Sequence, residues 1–243
     1  MNEKLLGIKI DIINTKEGIE SCRNFLKGKN MKNIFFINAH CFNIAMEDIK
    51  YKNILNRADL LLNDGIGIKL GLKICGINEK ENMNGTDFIP EILKLAAEMN
   101  KNVYLLGGKE GVAVRAKERI VERFKCNVVG ARNGYFTENE DEEIINDIIS
   151  QKADILILGM GMPIQETWLD KNKSRLGGVK IGLAGGAIID FLSEDIKRAP
   201  KIVRRIKMEW IYRLIKEPRR LWKRYIIGNI KFFYNIFKNL SLE

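Results

Sequence analysis

The chain alternates short apolar runs with amphipathic stretches. Ile34-Phe35-Phe36-Ile37, Leu60-Leu61-Leu62, Val103-Tyr104-Leu105-Leu106, Asp154 to Leu158 and Lys180 to Leu183 read as short buried strands that stop abruptly at polar residues or glycine. Leu6 to Ile13 and Asn127-Val128-Val129 read as two further strands. Helices are predicted from Thr15, as N-cap, to Leu26, from Ile44 to Arg57, and after Thr86, as N-cap, with Phe88, Ile92, Ala96 and Met99 on one face. Two more follow, one running to Phe124 and one from Glu140 to Ser150. From Val103 the order is βαβαβ, which predicts a parallel sheet. The expected architecture is α/β: Rossmann-like parallel sheets with helices on both faces over residues 1–200, then a basic helical appendage over 201–243.

The stretch from Ala58 to Ile68 carries two readings. Asn63-Asp64-Gly65 fits a tight hairpin turn, and the alternation of Ile66, Ile68, Leu70, Leu72 and Ile74 with Gly67, Lys69, Gly71 and Lys73 suits a strand as well as a helix. In a chain of alternating strands and helices, the same residues place Asp64 beyond the carboxyl end of a buried strand, where α/β sheets bind ligands. Three other strands run into Gly107-Gly108, Gly159-Met160-Gly161 and Gly185-Gly186 before helices. Such turns let a backbone approach a ligand and present helix amides to an anion; three along one sheet point to a nucleotide diphosphate or dinucleotide cleft.

Charge changes the picture at the C-terminus. The 243 residues carry a formal net charge of +10, and residues 201–243 hold twelve Lys or Arg against Glu209, Glu217 and Glu243, so the body is nearly neutral. Trp210, Trp222, Tyr225, Phe233 and Phe237 are interleaved with those cations, and Pro218 divides two predicted helices. A basic face opposite an aromatic one suits a helix lying on an anionic membrane. The plainer reading is a helix pair packed on the body, and a nucleic-acid backbone would answer the same charges. No apolar stretch reaches the roughly 18 residues of a spanning helix, and the N-terminus lacks a signal-peptide pattern. Cys22, Cys41, Cys75 and Cys126 are scattered, as in a reducing compartment without structural zinc.

His40 is the only histidine, and neither Gly-x-Ser-x-Gly, a phosphate-binding Gly-x-x-x-x-Gly-Lys-Ser/Thr loop nor His-Glu-x-x-His occurs. Ser-His-Asp hydrolysis, P-loop ATPase and zincin chemistry fall away. Gly107 to Gly111 lacks Gly-x-Gly-x-x-Gly spacing, which disfavours a dehydrogenase. A carboxylate at a strand end beside a diphosphate cleft remains, and it suits group transfer from a sugar nucleotide.

Asn38-Ala39-His40, Asn63-Asp64-Gly65-Ile66-Gly67, Asn84-Gly85-Thr86-Asp87, Leu105-Leu106-Gly107-Gly108, Gly134-Tyr135-Phe136 and Gly161 to Trp168 follow one another along the chain. Gly185-Gly186-Ala187 to Asp190, Arg198-Ala199-Pro200 and Glu209-Trp210 with Arg213 and Glu217-Pro218-Arg219-Arg220 complete the series. In this order they resemble the WecG/TagA/CpsF glycosyltransferases, glycosyltransferase family 26, over nearly the whole chain. The resemblance implies transfer of N-acetylmannosamine or a related hexose from a UDP-sugar to a polyprenyl-diphosphate-linked saccharide, with inversion and without metal or cofactor. It places the enzyme on the inner face of the bacterial membrane, with no nucleic-acid partner and a possible homo-oligomer. Asp64 matches the general base and Asn38 a catalytic pocket residue. Gly107, Gly108, Tyr135, Gln165, Gly185, Gly186, Asp190 and Thr86 fall to the substrate, and Arg213, Arg220 and Arg224 to the lipid diphosphate or membrane. Phe36 and Asn82 replace Thr and Arg of the teichoic-acid members, which leaves the donor open between N-acetylmannosamine and glucose.

Overall fold

The computed structural model describes residues 2–205 and 208–240; residues 206–207 and 241–243 of the predicted appendage lie outside them. Six strands form one parallel sheet: β3 (Lys32–Ile37), β4 (Leu60–Asn63), β5 (Asn102–Gly107), β6 (Asn127–Arg132), β7 (Ile155–Gly159) and β8 (Ile181–Ala184). Their order across the sheet is β4-β3-β8-β7-β5-β6. Alternate residues of each strand enter separate cores. Phe35, Ile37, Leu61, Leu106, Leu156 and Leu158 lie in one, while Ile34, Phe36, Leu60, Leu62, Leu105 and Ile157 lie in the other. That two-sided burial is why the strands read as continuous apolar runs. Helices cover both faces, as expected of an α/β fold. They are α1 (Thr15–Lys27), α2 (Ala39–Glu47), α3 (Ile49–Asn56), α4 (Gly65–Ile74), α5 (Gly85–Glu98), α6 (Val112–Phe124), α7 (Asp141–Ser150), α8 (Ile164–Asn172) and α9 (Ile188–Leu192).

Several expectations are corrected. The strand expected over Leu6 to Ile13 is an antiparallel hairpin, β1 (Asn2–Leu5) with β2 (Ile8–Asp11), because Leu6 and Gly7 both take positive φ and make the turn. The helix expected from Ile44 to Arg57 is two helices. Asn38 starts α2 five residues earlier than Ile44 would suggest, and Asp48, at φ −120°, ends α2 and caps α3 through the amides of Lys50 and Tyr51. Asn14 caps α1 in place of Thr15, and Asn84 caps α5 in place of Thr86. The hairpin reading at Asn63-Asp64-Gly65 fails: residues 65–74 are the helix α4, so the turn joins a strand to a helix.

Beyond Pro200 the chain forms α10 (Lys201–Arg205), α11 (Glu209–Lys216), α12 (Pro218–Trp222), a π turn over Lys223–Ile227 and α13 (Gly228–Leu240). Pro218 starts α12, as a residue without a free amide should. Phe232 and Ile236 of α13 are buried. Phe232 meets Phe42 of α2 edge to face at 5.0 Å, and Asn43 donates to the Gly228 carbonyl at 2.7 Å. The opposite face leaves Trp222, Ile226, Ile230, Tyr234 and Phe237 exposed. No helix among the described residues is long and apolar enough to cross a membrane.

Candidate functional site

All six parallel strands end on one edge, and the chain's chemistry collects there. Asp64 ends β4 and Asn38 ends the adjacent β3. The Asn38 side-chain oxygen accepts from the amides of His40 and Cys41, and its side chain also hydrogen-bonds Asp64. Burial pushes the Asp64 carboxyl above the usual aspartate range. Arg224, Asn38 and Arg213 pull it down without cancelling the rise, and Glu209 adds to it. The outcome is a carboxylate that takes up a proton more readily than an exposed aspartate.

The C-terminal segment supplies the opposing charge. Arg224 lies in the π turn, a distortion often found at functional sites. Burial holds it below the ordinary arginine value, helped by Arg213 and Arg220 and opposed by Tyr225 and Asp64. The Nε atoms of Arg224 and Arg213 are buried without a hydrogen-bond partner, so two donors are left unsatisfied beside a carboxylate. Arg213 stacks 5.4 Å over the ring of Phe191 on α9. Arg220 bonds Glu217 at 2.6 Å and also acts on Asp190, whose carboxyl is raised by burial and partly lowered by Arg220. Asp64, Asn38, Arg213, Arg224, Arg220 and Asp190 are thereby linked by charge or hydrogen bond. His40 adjoins the same cations: burial, Arg224 and Lys231 lower it to about 4, so it is neutral at pH 7.

The glycine turns form the other half of this edge. Gly107 pairs with Gly159 across β5 and β7, and a Cβ on Gly107 would come within 2.6 Å of the Gly159 backbone. Gly185 donates to Leu158, while Gly161 and Gly186 both donate to the side-chain oxygen of Gln165, at 3.2 and 3.0 Å. Gln165, predicted to touch substrate, is thus a buried tie between two turns. Tyr135 is exposed beside Lys109, Glu110 and Asn133, next to the turn where Gly134 donates to Gly108. Four strand spacings separate β4 from β5, about 19 Å. Asp64 and Tyr135 are therefore not neighbours; a ligand touching both must be extended. Thr86 gives its hydroxyl to Asn84, and Arg198 bonds the Thr86 carbonyl, Asp87 and Glu209. That end of α5 has its Asp87 amide capped by Asn84 and its Asp87 carboxylate ion-paired with Arg198.

Sequence reasoning passed over three polar groups here. Arg198 and Glu209 stand in singled-out motifs, without an assigned part. Glu166 is fully buried, accepts from Gln165 at 2.7 Å through Oε1, and has no hydrogen-bond partner at Oε2. Burial raises it to about 7. Its neighbour Tyr51 bonds Cys41 at 3.1 Å. Only the adjacency of Gln165 and Glu166 on a buried helix face could have signalled this network. Among the described residues no three His, Cys, Asp or Glu side chains group as metal ligands.

A parallel sheet whose carboxyl edge joins glycine turns, an acid and converging arginines suits a group-transfer enzyme. Comparison with protein families gives the kind: residues 3–242 match the Glycosyl transferase WecG/TagA/CpsF family, and the chain belongs to it. Its relatives include the N-acetylglucosaminyldiphosphoundecaprenol N-acetyl-beta-D-mannosaminyltransferases of Staphylococcus aureus strains MW2 and MRSA252. Each is 28% identical over 240 residues, covering 96% of this chain and 91% of the relative.

Proposed function

We propose that this glycosyltransferase moves N-acetylmannosamine or a related hexose from a UDP-sugar onto a polyprenyl-diphosphate-linked saccharide, working peripherally on the inner face of the membrane. The acceptor class follows the names of the relatives, which act on an undecaprenyl-diphosphate-linked N-acetylglucosamine. The observation that carries the reading is the Asp64 carboxyl, raised by burial and set against arginines with unsatisfied donors. Asp64 removes the proton of the acceptor hydroxyl while that oxygen bonds the anomeric carbon. The bond from that carbon to the UDP oxygen breaks, and UDP leaves with the bonding pair. One displacement inverts the anomeric centre. Arg213, Arg220 and Arg224 neutralise the charge growing on the departing diphosphate, the task a metal would otherwise perform. Gly107, Gly108, Gly185, Gly186, Asp190 and Tyr135 hold the nucleotide end, and Gln165 supports their turns.

Mass spectrometry of products from a panel of UDP-hexoses and a short-chain prenyl-diphosphate-linked N-acetylglucosamine tests this, with and without chelator. One donor should give a disaccharide lipid in both conditions. Absence of product with every donor contradicts the proposal, and loss in chelator that magnesium restores contradicts its metal-free form.

A further inference from the structure

We propose that Arg198 is a positioning residue for Arg213: it engages Glu209, the acid one helical turn before Arg213, and so leaves the Arg213 guanidinium free for the departing diphosphate. The inference rests on the proposed part of Arg213 in that step. Glu209 opens α11 and Arg213 stands four residues later, so the two side chains share one face of the helix. A glutamate four residues ahead of a cation is the favourable order for an ion pair on a helix, since it also suits the helix dipole. The pair that this spacing invites is not the one that forms. The Glu209 carboxylate accepts from Nη2 of Arg198 at 3.2 Å, while Arg213 lies over the Phe191 ring and its Nε is buried without a partner.

Arg198 is fixed to the body of the fold. Its Nη1 donates to the Thr86 carbonyl at 3.2 Å and to Asp87 Oδ1 at 2.5 Å, both at the start of α5, and Nη2 is left for Glu209. The Glu209 side chain is 26% exposed against 56% for Asp87, so the Glu209 end of this fork is the less screened one. Burial works against the Arg198 charge, and Asp87 and Glu209 together outweigh it, holding the group above the ordinary arginine value. Glu217, four residues beyond Arg213, is taken in the same way by Nε of Arg220 at 2.6 Å. The acids on either side of Arg213 are therefore both bonded to other arginines. Glu209 and Arg213 also both act electrostatically on the Asp64 carboxyl, so this face of α11 looks into the site. Without Arg198, the neighbouring cation for Glu209 on its own helix is Arg213. That pairing would offset the Arg213 charge before the diphosphate develops its own, a loss felt in the transition state more than in donor binding.

A double-mutant cycle in the full chain tests this, read by steady-state kinetics with the short-chain lipid acceptor and UDP-N-acetylmannosamine, or the UDP-hexose that gives product in its place. Arg198→Gln should cut kcat roughly 10- to 100-fold with donor KM little changed, as expected when a group acting in the transition state is disabled. Adding Glu209→Gln removes the acid that captures Arg213, so the double variant should turn over roughly 10-fold faster than Arg198→Gln although it carries one more substitution. If Arg198 were only a clasp between α5 and α11, the second substitution would leave the rate where it was or lower it further. A double variant no faster than Arg198→Gln overturns the proposal, as does wild-type kcat in Arg198→Gln itself. If Arg198→Gln does not fold, Arg198→Lys keeps the charge but not the fork that spans Asp87 and Glu209. It should be slowed less and should likewise gain rate from Glu209→Gln; no gain overturns the proposal. Failure of the underlying reading looks different: Arg213→Ala would then turn over at the wild-type rate, whatever happens at position 198.

Discussion

Asp64 ends a strand and begins a helix, yet its carboxyl makes no cap bond to α4 and is hydrogen-bonded by the Asn38 side chain instead. Glu166 shows the same economy in a second buried acid, whose one bonded oxygen holds Gln165 and through it the Gly161 and Gly186 turns. It also makes a separate prediction. Its midpoint is raised from 4.5 to about 7, so the folded chain holds the proton more tightly than the unfolded one. The stabilisation from this group is complete below pH 4.5, declines as pH rises toward 7 and is gone above it. Denaturant unfolding at pH 4.5 and 7.5 should show wild type losing about 3 kcal/mol more across that interval than Glu166→Gln, which cannot ionise. Equal losses in the two proteins would refute the assignment. Asp64, Asn38 and the arginines were legible from motifs. The Asn82 bond to the Gly65 amide, 17 residues away, and Glu166 holding Gln165 inside the fold were not, since they depend on a distant partner or on burial that no local pattern encodes.

Among the elements, β3, β4, β5, β7 and β8 were read to within two residues because two-sided burial makes them uniformly apolar, while the less buried β6 runs three residues past its expected end. Caps and breaks were misread where two polar residues compete, as with Asn14 beside Thr15, or where one turn divides a periodic stretch, as Asp48 does. The α4 segment was ambiguous because its apolar residues alternate with Gly67, Lys69, Gly71 and Lys73, a period that suits a strand as well as a helix, and the structure explains Gly71. A Cβ there would lie 2.6 Å from the Phe232 ring, so the glycine admits α13 against α4. Gly71→Ala should therefore weaken docking of α13 by about 1 to 3 kcal/mol, the usual cost of overpacking. Limited proteolysis would register faster cleavage within α13 while the sheet stays intact. Cleavage at the wild-type rate would mean that the contact is easily relieved.

At the scale of the whole molecule, the charge of the C-terminal segment was legible in the sequence, but the packing of one of its faces on the body was not. Phe232 and Ile236 bind the body, while Trp222, Ile226, Ile230, Tyr234 and Phe237 face outward among basic residues. The tail is both packed helix and candidate membrane surface. In the proposed peripheral docking, the attraction of the tail to an anionic leaflet is expected to be largely electrostatic, each cation adding about 1 kcal/mol. Sedimentation should show binding to anionic but not neutral liposomes at low salt, with release at about 0.5 M as the Debye length falls to a few Å. Equal binding to both would remove the electrostatic part of the account.

Single-turnover transfer by Asp64→Asn is the sharpest probe of Asp64 as the proposed base of glycosyl transfer. Calorimetry with UDP should give wild-type affinity, because the proposed function puts the nucleotide at the glycine turns, away from Asp64. The rate of sugar transfer should fall by roughly 10² to 10⁴, the contribution of a positioned general base. Transfer at the wild-type rate with unchanged UDP affinity would contradict the account.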